Sequence, residues 1–440
     1  MSDSMETWRS SAGARLHGEI RVPGDKSISH RSVMFASLAE GTSRIRGFLE
    51  GEDTRATARA FAAMGVRMEQ PSPSERIVHG VGLHGLAPPP VAIDCGNAGT
   101  GMRLLAGLLA GQTFDSTLIG DASLSRRPMR RVIDPLGIMG ARIQAEPGGL
   151  PPLAICGGQT LTGIDYALPV ASAQVKSALL LAGLYATGVT TIHEPHPTRD
   201  YTESMLAAFG WPIRYHAGQA SLEGGHRLVA TDIQVPADFS SAAFFIVAAC
   251  LQPGSDLLLR GVGINPRRTG LLAVLHLMGA DIVVENEKLH GGEAVADLRV
   301  RYSRLRGVDV PVELVPDMID EFPALFVAAS GAEGTTQIHG AAELRVKESD
   351  RIGVMATGLR TLGVLIDELP DGAVIRGGRL GGGQVDSAGD HRCAMSFSIA
   401  GLIATSPVTI GDCANVATSF PGFQELANRC GFALEIAAVQ

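Results

Sequence analysis

The chain has 440 residues, of which 45% are hydrophobic and 19% are charged, and it contains 54 glycines but only 5% aromatic residues. An apolar share this large excludes a disordered chain, and the length predicts two or three domains with large cores. The net charge of −8 argues against a general nucleic-acid or membrane-surface binder, because such proteins are more often basic, whereas a local site for a small anion needs only a few cations.

The first residues and the cysteines predict the compartment. The stretch MSDSMETWRS has no basic segment followed by an apolar core, and no apolar run is long enough for a membrane span. The six cysteines form no CxxC pair, which in a long chain indicates reduced thiols rather than disulfides or a zinc site. We therefore expect a cytoplasmic protein.

A pattern of two helices and short strands returns six times along the chain. Each copy has a small or polar loop, an apolar Ala/Leu-rich helix and a β-branched strand, and the copies begin at Pro23, Cys95, Pro169, Pro236, Asp317 and Ala388. A second, more amphipathic helix follows in each copy, and several of these end at a glycine, the usual left-handed C-cap. Because helices that are apolar all round should be buried, the first helices are predicted to form the cores of two domains of three units each.

Polar and charged residues gather where the first helices begin. A helix N-terminus carries free N–H groups and a partial positive charge, so it favours anions. Ordinary capping explains Ser, Asp and Asn at such positions, but GDKSISHR in the first copy holds more cations and hydroxyls than a cap requires. In chain order the residues are Lys26, Ser27, His30 and Arg31; Asn97, Gly99 and Thr100; Ser172 and Gln174; Asp320 and Glu321; and Asp390, His391 and Arg392.

The starts of the second helices add further charge. Arg126 and Arg127 precede Pro128, which suits the first turn of a helix, and residues 198–201 read Thr-Arg-Asp-Tyr at another such start. RVKESDR, at 345–351, is predicted to open a helix with Glu348 and Arg351 on one face. A solvated charged surface is the alternative interpretation of that run.

These residues predict a chemistry that needs no cofactor. Many cations and several carboxylates suit one or two substrates that bear phosphate and carboxylate groups. The chain has no GxxxxGK[ST], HExxH or GxSxG motif, and GNAGTG lacks the strand, spacing and acidic partner of a dinucleotide fingerprint. Group transfer by electrostatic and acid–base catalysis, with no metal and no cofactor, is the remaining expectation.

Seven stretches, in order and spanning almost the whole chain, carry a family resemblance: PGDKSISHR, GNAGTGMR, GDASLSRRPM, SAQVKSALLLAGL, DEFP, RVKESDR and DHRCAMSF. On these motifs the chain resembles the 5-enolpyruvylshikimate-3-phosphate (EPSP) synthase family. The resemblance implies a two-domain inside-out α/β barrel, each domain with three βαβαββ units around buried helices. It implies one domain from residues 1–23 and 238–440, another from 24–237, and a hinge near 22–24 and 235–240.

The resemblance implies a transferase of the shikimate pathway, 3-phosphoshikimate 1-carboxyvinyltransferase, which serves aromatic amino acid biosynthesis. The enolpyruvyl group of phosphoenolpyruvate would pass to the 5-hydroxyl of shikimate 3-phosphate, with release of phosphate, by addition and elimination through a tetrahedral intermediate. Such enzymes are glyphosate targets. The family further implies a cytoplasmic monomer with these two small-molecule substrates and no nucleic-acid or membrane partner.

The resemblance also assigns roles to particular residues. Asp320 would take the hydroxyl proton and Glu348 would protonate the methylene, with Lys26 and Lys347 as further catalytic residues. Asp317 is the alternative candidate for the base, but Asp320 is preferred because its spacing to Glu348 matches that of the family. The residues implied to bind shikimate 3-phosphate are Lys26, Ser27, Arg31, Ser172, Ala173, Gln174, Arg199, Asp320 and Lys347. Those implied to bind phosphoenolpyruvate are Lys26, Asn97, Gly99, Arg127, Gln174, Arg351 and Arg392.

The chain departs from the common pattern in places. It has Ser172-Ala173 where many members have two serines, Thr418-Ser419 where some have a lysine, and Gly99 rather than the alanine of glyphosate-tolerant members. The alternative is the UDP-N-acetylglucosamine enolpyruvyl transferase, which typically has a cysteine where this chain has Ala122 and opens with GAKN instead of GDKS. A non-catalytic anion-binding scaffold is a third possibility, and it predicts that Glu348→Gln leaves function intact.

Overall fold

The computed structural model describes residues 6–290 and 292–437. Two compact units can be distinguished in it. The terminal unit, which holds both ends of the chain, comprises Met1–Pro23, Pro236–Leu289 and Ala294–Gln440. The inserted unit comprises Gly24–Val235 and a short return at His290–Glu293.

The described residues form α-helices and β-strands that alternate along both units. The helices are α1 (Lys26–Leu38), α2 (Glu52–Ala63), α3 (Gly99–Ala110), α4 (Arg130–Ile138), α5 (Ala173–Gly183), α6 (Tyr201–Ala208), α7 (Phe239–Leu251), α8 (Gly270–Leu277), α9 (Phe322–Gly331), α10 (Arg351–Thr361), α11 (His391–Ile403) and α12 (Phe423–Cys430). The strands are β1 (Thr7–Ser11), β2 (His17–Ile20), β3 (Ala39–Arg46), β4 (Arg67–Ser72), β5 (Glu75–Val81), β6 (Ile93–Asp94), β7 (Ser116–Ile119), β8 (Arg142–Glu146), β9 (Leu150–Cys156), β10 (Asp165–Ala167), β11 (Val189–His193), β12 (Ile213–His216), β13 (Gln219–Glu223), β14 (Leu228–Val229), β15 (Ile233–Gln234), β16 (Asp256–Gly263), β17 (Asp281–His290), β18 (Glu293–Arg301), β19 (Thr335–Ile338), β20 (Leu365–Leu369), β21 (Gly372–Arg376), β22 (Gly383–Asp386), β23 (Val408–Gly411) and β24 (Ala433–Ala437).

The strands pair into small mixed sheets that repeat one order. In β6-β7-β9-β8 the first pair is parallel and the next two are antiparallel, and β10-β11-β13-β12 and β22-β23-β1-β24 follow the same pattern. The other sheets run β14-β3-β5-β4, with β15 also on β3, β17-β18-β16-β2 and β19-β21-β20. All of these described sheets are open, so the fold is mixed α/β in two units, and no closed barrel is found in residues 6–290 and 292–437.

The prediction that the first helix of each copy is buried is confirmed. In the inserted unit α1, α3 and α5 lie in one core, and in the terminal unit α7, α9 and α11 lie in the other. Every residue of α7 is buried, since its run of Phe, Ala, Ile and Val has no polar face to offer to water. Small residues permit close packing: a Cβ added at Gly107 of α3 would lie 2.1 Å from the carbonyl oxygen of Ala178 in α5.

The expected glycine caps of the second helices are also confirmed. Each second helix is followed within two residues by a glycine with positive φ, a conformation that ends a helix and that other L-residues rarely adopt. The excess of glycine therefore has a structural use that recurs in both units. The six positions are Gly65, Gly140, Gly210, Gly279, Gly363 and Gly431.

Two predicted helix starts are wrong by a few residues. Pro128 lies outside α4, because the N–H of Met129 bonds to the carbonyl of Gly149 (2.8 Å) instead of continuing a helix. RVKESDR does not open a helix at its first residue either. The side chain of Asp350 accepts a hydrogen bond from the N–H of Gly353 (3.0 Å), so Asp350 is the N-cap and α10 begins only at Arg351.

Candidate active site

The first two turns of α1 carry two cations of the inserted unit, Lys26 and Arg31. Asp25 caps the helix by accepting a hydrogen bond from the N–H of Ile28 (2.8 Å). Lys26 forms an ion pair with buried Asp53 of α2, and Ser27 offers its carbonyl oxygen to Arg31 (3.0 Å). The predicted residues Lys26, Ser27 and Arg31 are therefore neighbours in the structure.

Arg31 is a buried guanidinium held by hydroxyl groups. Its Nε donates to Thr202 Oγ1 (2.8 Å) and its Nη2 to Ser177 Oγ (2.7 Å), which brings together α1, α5 and α6. Burial and then the positive charge of Arg199 lower the pKa of Arg31 to about 10. The two positive charges therefore repel each other, so an anion that joined them would be favoured.

The starts of α3 and α5 are linked through one amide. Gln174 accepts a hydrogen bond from Arg103 Nη1 (2.9 Å) and donates to Thr100 Oγ1 (2.8 Å). Ser172 is the N-cap of α5 and Ala173 is its first residue. Sequence reasoning missed Arg103, although it lies one turn after the GNAGT stretch at 96–100.

Arg127 belongs to the same region as Asn97 and Gly99. Its Nη2 donates to Asn97 Oδ1 (2.7 Å), and the amide of Asn97 donates to Asp121 Oδ2 (2.7 Å). A Cβ added at Gly99 would come within 3.3 Å of Arg127 Nη1 and 2.9 Å of Arg103 Nη1. The glycine thus leaves room for the two guanidinium groups.

A buried ammonium that the sequence did not assign supports this half. Lys176 Nζ bonds Glu194 Oε2 (2.8 Å) and Glu203 Oε1 (2.7 Å), and all three side chains are only 2% exposed. Burial opposes the charge of Lys176, but the two carboxylates raise its pKa, while burial raises the pKa of Glu203. Glu194 also accepts from Thr198, so the cluster anchors the segment that carries Arg199. The scarcity of lysine in the chain was the signal that could have found it.

The burial of His30 predicts that the protein becomes less stable to unfolding in mildly acidic solution. His30 is fully buried, its Nδ1 contacts Thr57 Oγ1 (2.7 Å), and burial followed by the charges of Lys26 and Arg31 holds its pKa well below 6.5. The unfolded chain takes up a proton at His30 below about pH 6.5 and the folded chain does not, so folding stability is lost as the pH falls below that value. We expect a slope of up to about 1.4 kcal/mol per pH unit from this residue.

Urea unfolding of His30→Gln between pH 7.5 and 5 measures the effect. The variant should lose that part of the slope, whereas His17→Gln, which changes an exposed histidine, should keep it. An identical pH dependence in wild type and His30→Gln would contradict the assignment.

In the terminal unit, three carboxylates surround the guanidinium of Arg351. Its Nε bonds Asp390 Oδ2 (2.8 Å), its Nη2 bonds Glu348 Oε2 (2.5 Å) and its Nη1 lies 3.6 Å from Asp320 Oδ1. Burial opposes the charge, but the carboxylates, Asp390 first, raise the pKa of Arg351. The predicted pairing of Glu348 with Arg351 is confirmed, but the predicted reason is wrong, because Glu348 precedes the helix instead of sharing a face of it.

The two rival aspartates have different partners. Asp320 Oδ2 lies 3.2 Å from Arg268 Nη1, whereas Asp317 Oδ2 lies 3.3 Å from Arg267 Nη1. The backbone carbonyl of Asp320 also accepts a hydrogen bond from Arg392 Nη1 (3.0 Å). The structure therefore brings Asp320 into the cluster of Arg351, Arg392 and Glu348 that the resemblance implied.

Lys347 lies at the edge of this cluster. Its side chain is 23% exposed and its Nζ is 3.9 Å from Glu343. Burial of the ammonium lowers the pKa of Lys347, and the negative charge of Asp320 offsets only part of this effect. Thr418, the position where the family resemblance leads to the expectation of a lysine in some members, is buried, and its hydroxyl donates to the carbonyl of Asn415 (2.6 Å).

Sequence reasoning missed Arg268, the second residue of the arginine pair in NPRRT. The arginine pair in SRRPM precedes the second helix of another copy, so the repeat itself contained a signal for this position. The described residues contain no group of three His, Cys, Asp or Glu side chains placed to hold a metal ion. None of the helices in residues 6–290 and 292–437 is long and apolar enough to cross a membrane.

A two-unit α/β architecture with cations and carboxylates concentrated at its helix starts fits the class of group-transfer enzymes that act on small anions. A family model for EPSP synthase (3-phosphoshikimate 1-carboxyvinyltransferase) matches residues 10–426, so the chain belongs to the EPSP synthase family. It is an enzyme of this family, and the match supports this interpretation over the UDP-N-acetylglucosamine alternative.

Similar proteins agree with that assignment. A protein of Xanthomonas campestris pv. campestris (strain B100), named 3-phosphoshikimate 1-carboxyvinyltransferase, is 68% identical over 434 residues, covering 99% of each chain. A protein of the same name from Xanthomonas euvesicatoria pv. vesicatoria is 67% identical over 437 residues, again covering 99% of each chain. A solved structure of EPSP synthase from Acinetobacter baumannii has a TM-score of 0.89 and 53% identity, covering 98% of this chain and all of the other.

Proposed function

We propose that the chain transfers the enolpyruvyl group of phosphoenolpyruvate to the 5-hydroxyl of shikimate 3-phosphate and releases phosphate. Membership of the EPSP synthase family supports this activity. The single structural observation that carries it is the cluster in which Arg351 contacts Glu348 and Asp320, because it joins a candidate acid, a candidate base and a binder of carboxylates.

The inserted unit supplies residues suited to the phosphate and ring of shikimate 3-phosphate. Arg31 and Arg199 repel each other in the protein alone, so an anion stabilises both. Ser27, Ser172, Ala173 and Gln174 lie at the starts of α1 and α5, where N–H groups and the helix dipole favour negative charge. We assign these residues to shikimate 3-phosphate, with Lys26, Lys347 and Asp320.

Phosphoenolpyruvate would bind through two groups of cations, one for its phosphate and one for its carboxylate. Arg127, beside Asn97 and Gly99, is assigned to the phosphate, with Lys26 and Gln174 as further contacts. Arg351 and Arg392 are assigned to the carboxylate, since a planar guanidinium can hold a carboxylate through two parallel hydrogen bonds.

The proton transfers then balance. The 5-hydroxyl oxygen of shikimate 3-phosphate bonds the central carbon of phosphoenolpyruvate while Asp320 accepts the proton of that hydroxyl. Glu348 gives a proton to the methylene carbon. In the elimination the bond from the central carbon to the phosphate oxygen breaks, phosphate leaves with the proton that Asp320 had accepted, and the methyl group returns a proton to Glu348. Glu348 and Asp320 both contact Arg351, so the proposed acid and the proposed base lie against one guanidinium. Lys26 and Lys347 are assigned to stabilise the charges that develop.

We also propose that the two units act as the two domains, in the family's inside-out α/β arrangement of three βαβαββ units each, and that the segments near 22–24 and 235–240 form a hinge. The chain passes between the units at Pro23–Gly24 and Val235–Pro236, which supports these positions. A cytoplasmic monomer completes the proposal, and the free state of all six cysteines is in keeping with a reducing compartment.

Phosphate release from phosphoenolpyruvate tests the activity directly. We expect release with shikimate 3-phosphate as acceptor and none with UDP-N-acetylglucosamine, and no loss of activity after treatment with a metal chelator. Release only with the nucleotide sugar would overturn the proposed function.

Gly99→Ala is expected to raise the KM for phosphoenolpyruvate about 5- to 20-fold, equivalent to roughly 1–2 kcal/mol of binding. The added methyl would displace the guanidinium groups of Arg103 and Arg127, which are flexible enough to move without unfolding the unit. Steady-state kinetics with varied phosphoenolpyruvate measure this change. Gly137→Ala is the matched control, because a Cβ there meets nothing within 4 Å, and equal KM values in both variants would contradict the prediction.

A further inference from the structure

Two consecutive arginines before α8 each form an ion pair with one of the two candidate aspartates. Arg267 pairs with Asp317 and Arg268 pairs with Asp320. The two arginines differ in environment, since the Arg267 side chain is 36% exposed and the Arg268 side chain only 5%. A buried cation aimed at the proposed base is therefore part of the interior of the terminal unit.

Arg268 is fixed from behind by the start of α7. Its Nη2 lies 3.3 Å from Asp238 Oδ1 and 2.5 Å from Ser240 Oγ. Asp238 in turn caps α7 by accepting from the N–H groups of Ser240 and Ser241 (both 3.2 Å). The orientation of the guanidinium is thus set by a helix cap, independently of Asp320.

Asp320 lies between two guanidinium groups. Arg268 holds its Oδ2 at 3.2 Å, while Arg351 lies 3.6 Å from its Oδ1. If Arg268 were lost, the carboxylate would turn towards Arg351 and compete for a guanidinium that is assigned to the substrate carboxylate. A carboxylate that keeps one oxygen on Arg268 still has acceptor positions for the hydroxyl proton.

We propose that Arg268 is a positioning residue that holds one oxygen of Asp320, keeps the carboxylate in the orientation needed to accept the proton, and prevents it from turning fully onto Arg351. This rests on the proposed function, in which Asp320 is the base. Arg268 acts through the fork of its guanidinium, with Nη1 on Asp320 and Nη2 on Asp238 and Ser240. A lysine at this position has a charge but no fork, so it cannot reproduce both contacts with one geometry.

The test compares Arg268→Gln and Arg268→Lys with the control Arg267→Gln. We expect kcat to fall about 10- to 100-fold in Arg268→Gln and about 3- to 10-fold in Arg268→Lys, while the Kd for shikimate 3-phosphate, measured by calorimetry, stays within about threefold. Arg267→Gln should keep kcat within about twofold. Thermal unfolding of each variant shows whether it is folded, and Arg268→Lys retains the buried charge if Arg268→Gln does not fold.

A double variant provides the sharpest readout. If Arg268 acts through Asp320, Arg268→Lys combined with Asp320→Asn should be no slower than Asp320→Asn alone. Multiplied losses in the double variant, or a kcat of Arg268→Lys equal to that of wild type, would overturn the proposal. Absence of phosphate release by the wild-type enzyme would instead refute the proposed function, so the two failures are distinguishable.

Discussion

Glu348→Gln is expected to lower kcat about 10²- to 10⁴-fold, the usual contribution of a general acid, while both substrates still bind. The amide oxygen of glutamine can accept the hydrogen bond that Arg351 now donates to Glu348 Oε2, so the guanidinium stays in place. What is lost is the proton for the methylene carbon, which matters only in the transition state.

Rapid phosphate-release kinetics give kcat, and calorimetry gives the Kd of shikimate 3-phosphate. Glu425→Gln is a suitable control, because it makes the same chemical change in the terminal unit at an exposed residue of α12, outside the proposed machinery. Wild-type turnover in Glu348→Gln would remove Glu348 from the mechanism and favour a non-catalytic role. Parallel loss of binding and kcat would assign it to substrate binding instead.

Asp320→Asn is expected to lower kcat about 10²- to 10³-fold, while Asp317→Asn should stay within about fivefold of wild type. The reason is position: Asp320 shares Arg351 with Glu348, whereas Asp317 pairs with Arg267 away from these contacts. Asparagine cannot accept a proton from the hydroxyl group, although it fills the same space and can bond Arg268.

The measurement is kcat of each variant at saturating substrates, with thermal unfolding as a check on folding. Because Asp317 is buried, Asp317→Asn is the variant expected to change the unfolding temperature more. Asp320→Asn is the variant expected to change kcat more. A large loss in Asp317→Asn together with an active Asp320→Asn would transfer the role of base to Asp317.

The buried helices could be predicted because their cause lies within each segment. A stretch such as FSSAAFFIVAACL has no polar face, so it must be buried wherever the chain takes it, and α7 is buried along its whole length. The positive φ at Gly65 and Gly431 likewise follows from local needs at the end of a helix. Local causes of this kind predicted the repeated units and the polar helix starts.

The partners of the site residues could not be predicted in this way. Arg31 is held by Ser177 and Thr202, which are 146 and 171 positions away, and Arg268 reaches Asp320 across 52 positions. Glu348 and Arg351 were expected to meet through helical spacing, yet they meet because Asp350 caps α10 between them and the chain turns there.

The sequence by itself determined which segments become buried helices, that the second helices end at a glycine and which family motifs the helix starts carry, because these depend on residues a few positions apart. Tertiary structure alone decided that Asp320 pairs with Arg268 and Arg351 while Asp317 pairs with Arg267. The physical reason is that an ion pair depends on distances of a few ångströms between side chains, and for groups far apart in the chain those distances are set by how helices and sheets pack.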